Sequence, residues 1–161
     1  MRIFILLVAV CSLNTALSQS KYYNRTFEAK YMEKPPVFPK GADSLRRFYF
    51  NHFPAFDTVI SKAVENGDTA KFIRVYFSFT VDEQGFIYDP LFERVASTRS
   101  VATESAKTIR YFASLKQLMQ DAVTSMFRKM PQWQPGVQDG IPVKATCYDY
   151  LEFWCGLSAP Q

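Results

Sequence analysis

The sequence predicts an α+β domain, a three-stranded antiparallel sheet with helices on one face. Three observations carry this. Residues 73–81 alternate: Ile73, Val75, Phe77, Phe79 and Val81 point one way, and Arg74, Tyr76, Ser78 and Thr80 the other. The turn Asp82-Glu83-Gln84-Gly85 follows, and Phe86-Ile87-Tyr88-Asp89-Pro90-Leu91-Phe92 returns, which makes a β-hairpin. In residues 115–130, Leu115, Leu118, Met119, Ala122, Met126, Phe127 and Met130 recur at spacings of three and four, the mark of a helix with one buried stripe. Residues 142–153 form a last strand, with Val143, Ala145, Cys147, Leu151 and Phe153 on one face, interrupted by Asp149. Helices of this kind cover one side of such a sheet.

Before the domain, residues 1–18 read as an export signal. Arg2 supplies the positive start, residues 3–10 are unbroken apolar, and Ala16-Leu17-Ser18 fits the small-x-small cleavage pattern. The apolar run falls short of the roughly 20 residues that span a bilayer. A lipoprotein signal at Cys11 is disfavoured, because Val10 is bulky where a small residue is needed. Cleavage after Ser18 leaves 143 of 161 residues, enough for one domain with its own core. The expected location is the periplasm or the exterior, with a lipidated or membrane-anchored form as the lesser alternative. The signal holds one Arg and no acid, so the net charge falls from +4 to +3. No Lys/Arg block argues for nucleic acid. Cys147 and Cys155 remain, eight residues apart in one predicted strand, so about 26 Å apart at about 3.3 Å per residue. A disulfide needs Cα atoms within about 4.4–6.8 Å, so two free thiols are expected.

Residues 19–40 contain Tyr22, Tyr23, Phe27, Tyr31, Pro35, Pro36 and Phe38 without a regular period, and read as an extended arm. Asn24-Arg25-Thr26 matches a glycosylation sequon. The domain is placed at residues 41–155, with a tail at 156–161. Asp43 or Ser44 is expected to cap a helix that Pro54 stops after Phe53; Leu45, Phe48, Tyr49 and Phe53 share its inner face. His52, the only histidine, reads as packing. A second short helix is expected over residues 57–65, with Val59, Ile60, Ala63 and Val64 inward and Asn66-Gly67 as its stop. Pro90 predicts an edge strand or a bulge. Residues 96–114 read as a Ser/Thr-rich loop with a helix from about residue 104.

In the connector at 130–143, Pro131 ends the long helix, Trp133 carries the largest apolar surface, and Pro135-Gly136 and Asp139-Gly140 are turn signals. Trp133 is expected to pin the helix end to the sheet. No chemistry-bearing constellation stands out: one His and two distant Cys make neither a metal cluster nor a His-based triad. No catalytic residue, metal or cofactor is predicted.

The motifs, taken in order, resemble the C-terminal domain of the TonB family, the energy transducers of Gram-negative bacteria, in the standalone Bacteroidetes-type form. Ala63-Val64-Glu65-Asn66-Gly67, then Phe79-Thr80-Val81-Asp82-Glu83-Gln84-Gly85, then Met130-Pro131-Gln132-Trp133-Gln134-Pro135-Gly136 with Gly140-Ile141-Pro142-Val143 carry the resemblance over about residues 35–153. It implies an αββαβ domain in the periplasm, with Gly85, Trp133, Pro135, Gly136 and Gly140 in structural roles. It also implies that the last strand is an open edge. There Ala145, Thr146, Cys147, Tyr148, Asp149, Tyr150 and Leu151 would take up a short extended peptide, such as the TonB box of an outer-membrane transporter, by β-strand addition. The chain departs from the family in having Asp149 and Tyr150 where an apolar residue and proline are usual. Transducers also carry an uncleaved anchor and a long Pro-rich spacer. The expectation is therefore an exported interaction domain linked to outer-membrane transport, with a structural envelope protein or a true transducer as alternatives.

Strand alternation further predicts that Ile73, Val75, Phe77, Phe79, Ile87, Leu91, Val143, Ala145, Cys147 and Leu151 face the helices. Tyr76, Phe86, Tyr88, Phe92, Tyr148, Tyr150 and Trp154 then go to the opposite face. So aromatic a face is expected to be covered, by the arm, by a second copy in a homodimer, or by a partner.

Overall fold

A computed structural model describes residues 22, 25–65, 72–97 and 115–154. The signal, Asn24 of the sequon, Asn66-Gly67, most of the Ser/Thr-rich stretch, Cys155 and the tail lie outside them. The predicted hairpin is β2 (Phe72–Val81) and β3 (Ile87–Ser97), and the last strand is β5 (Ile141–Trp154). β2 lies between them, antiparallel to both. Two three-residue strands enlarge the expected three-stranded sheet to five: β1 (Thr26–Glu28) and β4 (Gly136–Gln138) both pair with β5. Strands this short hold too few residues for an alternation to be read.

Above one face pack α1 (Ala42–His52), α2 (Phe56–Glu65) and α3 (Lys116–Phe127). Neither Asp43 nor Ser44 caps α1. Gly41, at φ 81°, occupies that position, and Asp43 lies in the first turn, where its charge favours the helix dipole. His52 stacks on Phe48 with ring centroids 4.3 Å apart, a packing role as expected. In α3 the buried stripe is Met119, Ala122, Val123, Met126 and Phe127, and Leu118 is 40% exposed rather than inward. The stripe follows the 0, 3, 4, 7, 8 spacing of a helix, which brings Val123 in and turns Leu118 to its margin.

Pro90 does mark a bulge, and there are two. Ser78 and Thr80 pair with Leu91 and Tyr88, then Tyr76 and Phe77 with Arg94 and Phe92, so β3 twice inserts one extra residue. Asp89 takes φ 52° at the first. Each insertion reverses the side-chain phase. The expected facing of Leu91 and Phe92 is therefore exchanged: Phe92 is buried at 6% and Leu91 is 50% exposed. Gln120 on α3 satisfies the disrupted ladder. Its Nε2 donates to the Pro90 carbonyl at 2.9 Å, and its Oε1 accepts the Phe92 N–H at 2.8 Å.

Trp133 is buried between the arm and the sheet, edge-to-face with Phe38 at 5.5 Å and with Phe79 at 5.3 Å. Its backbone N–H donates to the Gly85 carbonyl at 2.9 Å. Gly85 is required there: at φ 87°, a Cβ would lie 1.9 Å from the Trp133 carbonyl oxygen. Asp139 and Gly140, at φ 50° and 74°, form the two-residue turn between β4 and β5. Around Pro135 the arm is tied in twice. Val37 exchanges backbone hydrogen bonds with Gln134, and Lys34 with Val137, while Met32 packs on buried Gly136.

Two outcomes test this packing. Trp133→Ala should lower stability by about 3–5 kcal/mol in denaturant unfolding, as for other large buried aromatics, and Gly85→Ala should prevent folding. For the bulges, Phe92→Ala should cost about 3–5 kcal/mol while Leu91→Ser stays within about 0.5 kcal/mol; equal losses at both positions would contradict the phase reversal.

Candidate functional site: the open edge of the last strand

β5 is paired along one side with β2, from Ala145 to Trp154. Its other side receives β1 in parallel, with Phe27 opposite Ala145 and Glu28 opposite Thr146. The predicted binding residues Ala145 and Thr146 are thus already occupied by the chain's own arm. Beyond them, at residues 147–151, no strand among the described residues pairs with this side of β5. Cys147, Tyr148, Asp149, Tyr150 and Leu151 are the part of the expected edge that is open.

α1 runs beside this edge. Between them lies a cleft of about 600 Å³, lined by Leu45, Arg46, Tyr49 and Phe50 of the helix and by residues 149–152 of the strand. The helix side of this cleft has no signal in the sequence, because α1 and β5 are about a hundred residues apart. The strand side has one: Asp149 is the one charge in the inward phase of β5.

Asp149 sits opposite Phe77 and faces the helices. Its Oδ2 accepts the Tyr49 hydroxyl at 3.1 Å, and its Oδ1 accepts the Tyr150 N–H at 2.8 Å. A carboxylate oxygen and a β2 carbonyl cannot occupy the same place, so this N–H faces away from β2, toward the open edge. Burial raises the pKa of Asp149, opposed by the hydrogen bonds from Tyr150 and Tyr49 and by the charge of Arg46. Tyr49 is buried and its hydroxyl is held neutral, first by desolvation and then by Asp149. Cys147 is a buried free thiol, pushed up to about 12 by desolvation and by Asp149, and is therefore unreactive near neutrality.

The described arm residues run along the β5 edge and into the core rather than over the opposite face of the sheet. Tyr148 remains 63% and Tyr150 44% exposed. The side chains there pair laterally instead. Arg94 lies 4.0 Å over the Tyr76 ring, Tyr76 lies 5.6 Å from Tyr150, and Arg74 covers Tyr150 at 5.2 Å and pairs with Glu152. Ser78 donates to Glu93 at 2.6 Å. Arg94, Arg74 and the ring-to-ring contact thus cover part of Tyr76 and Tyr150. Tyr88 is half-buried and Phe86 is exposed in the hairpin turn. Phe92 is on the other face, in the core. Trp154 ends β5 opposite Phe72, and its side chain lies outside the description.

No family model, no curated protein and no solved structure matches this chain. No helix among the described residues is long and apolar enough to cross a membrane.

The Asp149 shift has a testable sign. Because the folded pKa lies above the unfolded 3.8, the folded state holds its proton to higher pH. This contribution is complete below 3.8 and is lost as the pH rises through the folded value. An asparagine amide in place of this carboxyl can accept from Tyr150 and donate to Tyr49 without a charge. The melting temperature of Asp149→Asn relative to wild type should therefore climb as the pH rises above 3.8; a flat difference would refute the shift.

Proposed function

We propose that this protein is an exported, TonB C-terminal-like interaction domain that binds a short extended peptide by adding it as a strand to β5. The supporting observation is that the edge already takes an extended segment: β1 lies on it at Thr26–Glu28, and no strand among the described residues pairs with the adjoining stretch at 147–151 beside the α1 cleft. Main-chain bonds to the edge supply affinity in this mode, and pockets for alternate side chains supply selectivity. An added strand would send one set of side chains toward Leu45, Tyr49 and Phe50, and the other toward Tyr148 and Tyr150.

The partner is a protein segment, and the TonB box of an outer-membrane transporter is the best candidate from the motif resemblance. The protein acts in the periplasm after signal cleavage, and does so without catalysis, cofactor or nucleic acid. A second reading is a structural envelope protein whose edge is closed by its own arm. The placement of β1 over Ala145 and Thr146 favours it.

Titration of the isotope-labelled protein with synthetic TonB-box peptides tests both. Binding should shift amides of residues 147–152 and of α1. Tyr150→Pro, which deletes an N–H that does not face β2, should keep the fold and lose the peptide. A folded Tyr150→Pro protein that binds as wild type excludes strand addition here. Absence of binding by wild type to every peptide, and of transporters in a pull-down from outer-membrane extract, favours the structural reading.

A further inference from the structure

We propose that Asp149 is a latch on the β5 edge: anchored by Tyr49, its carboxylate covers the Tyr150 N–H and must swing aside before a strand is added. The inference rests on the reading of β5 as a peptide-binding edge and adds the residue that controls it. An edge strand offers its outward N–H groups to any extended segment, and an incoming carbonyl must reach the Tyr150 N–H. That position is filled by Asp149 Oδ1 at 2.8 Å. Inward-pointing charges are one way in which proteins keep open edges from pairing indiscriminately.

Asp149 differs from a fixed block, because its surroundings let it retreat. Tyr49 holds the other oxygen at 3.1 Å, so the side chain stays tethered to α1 when Oδ1 leaves the edge. Arg46, on the same helix and lining the same cleft, favours the charged form of the carboxylate. The opening step thus leaves the carboxylate on the Tyr49 hydroxyl, in the field of Arg46, and does not expose an unpaired charge. Cys147 and Leu151, on either side of Asp149 in the same phase, are buried and have no carboxylate with which to cover a neighbouring N–H. A strand displaces the latch only when its other contacts along 147–152 outweigh the lost bond, so weak or accidental strands, including a second copy of β5, are turned away.

The test uses the tightest TonB-box peptide from the titration, measured calorimetrically, together with hydrogen exchange of the Tyr150 amide in the free protein. A hydrogen bond to a charged group corresponds to about tenfold or more in equilibrium constant. Asp149→Ala should therefore bind the peptide about tenfold tighter and exchange the Tyr150 amide about tenfold faster, with Asp149→Asn between it and wild type. Should Asp149→Ala be unstable because the Tyr49 hydroxyl is orphaned, the double variant Tyr49→Phe/Asp149→Ala removes both polar groups and should show the same gain. Variants that bind no tighter than wild type, with shifts still at 147–152, or an unchanged Tyr150 exchange rate, overturn the latch and leave the peptide edge standing. If neither wild type nor any variant binds a peptide at that edge, the edge reading falls and the latch with it.

Discussion

The contact between Trp133 and the Gly85 turn is the constraint on which the rest of the structure depends. The backbone of Trp133 reaches Gly85 so closely that no Cβ fits between them, and the indole fills the space between Phe38 and Phe79. One residue thereby joins four parts of the chain: the arm, the hairpin, the end of α3 and the start of the β4–β5 turn. With the hairpin tip and the connector locked together, β5 must run back along β2 in the register that buries Val143, Ala145, Cys147, Leu151 and Phe153. That register also sets Asp149 in the inward phase and places the far side of β5 next to α1.

Sheet edges are a hazard unless they are shortened, charged or covered, and this domain treats its two long edges differently. β3 is bent by two bulges, each of which interrupts the ladder and increases the twist. Gln120 satisfies the polar groups that the first bulge releases, so the distortion is held in place by α3. β5 is long and unbulged. It is protected over Ala145 and Thr146 by β1 and at Tyr150 by Asp149, which leaves an edge that is guarded but not destroyed.

On the outer face, aromatic side chains are partly shielded by their neighbours on the sheet. Tyr76 and Tyr150 lie in contact across strands, with Arg94 and Arg74 over their rings and Glu152 pairing the second arginine. Cross-strand pairs of this type each contribute about 0.2–1 kcal/mol. The rings are partly desolvated by their neighbours on the sheet.

The sequence by itself determined the hairpin, the long helix, the final strand and the roles of Gly85 and Trp133. In each of these the signal is local: a period of two or 3.6, or a turn residue at a fixed offset. It also marked Asp149 as a charge in an apolar phase and Pro90 as an edge strand or a bulge. Tertiary structure alone decided the rest. The facing of Leu91 and Phe92 depends on how many residues β3 inserts against β2, and an alternation pattern cannot count across strands. The three-residue strands β1 and β4 have no periodicity of their own and exist only because β5 offers them partners. The arm's destination, the cleft beside α1 and the two bonds of Asp149 join residues about a hundred positions apart, and such pairings are set by how the layers close on one another, which no local pattern encodes.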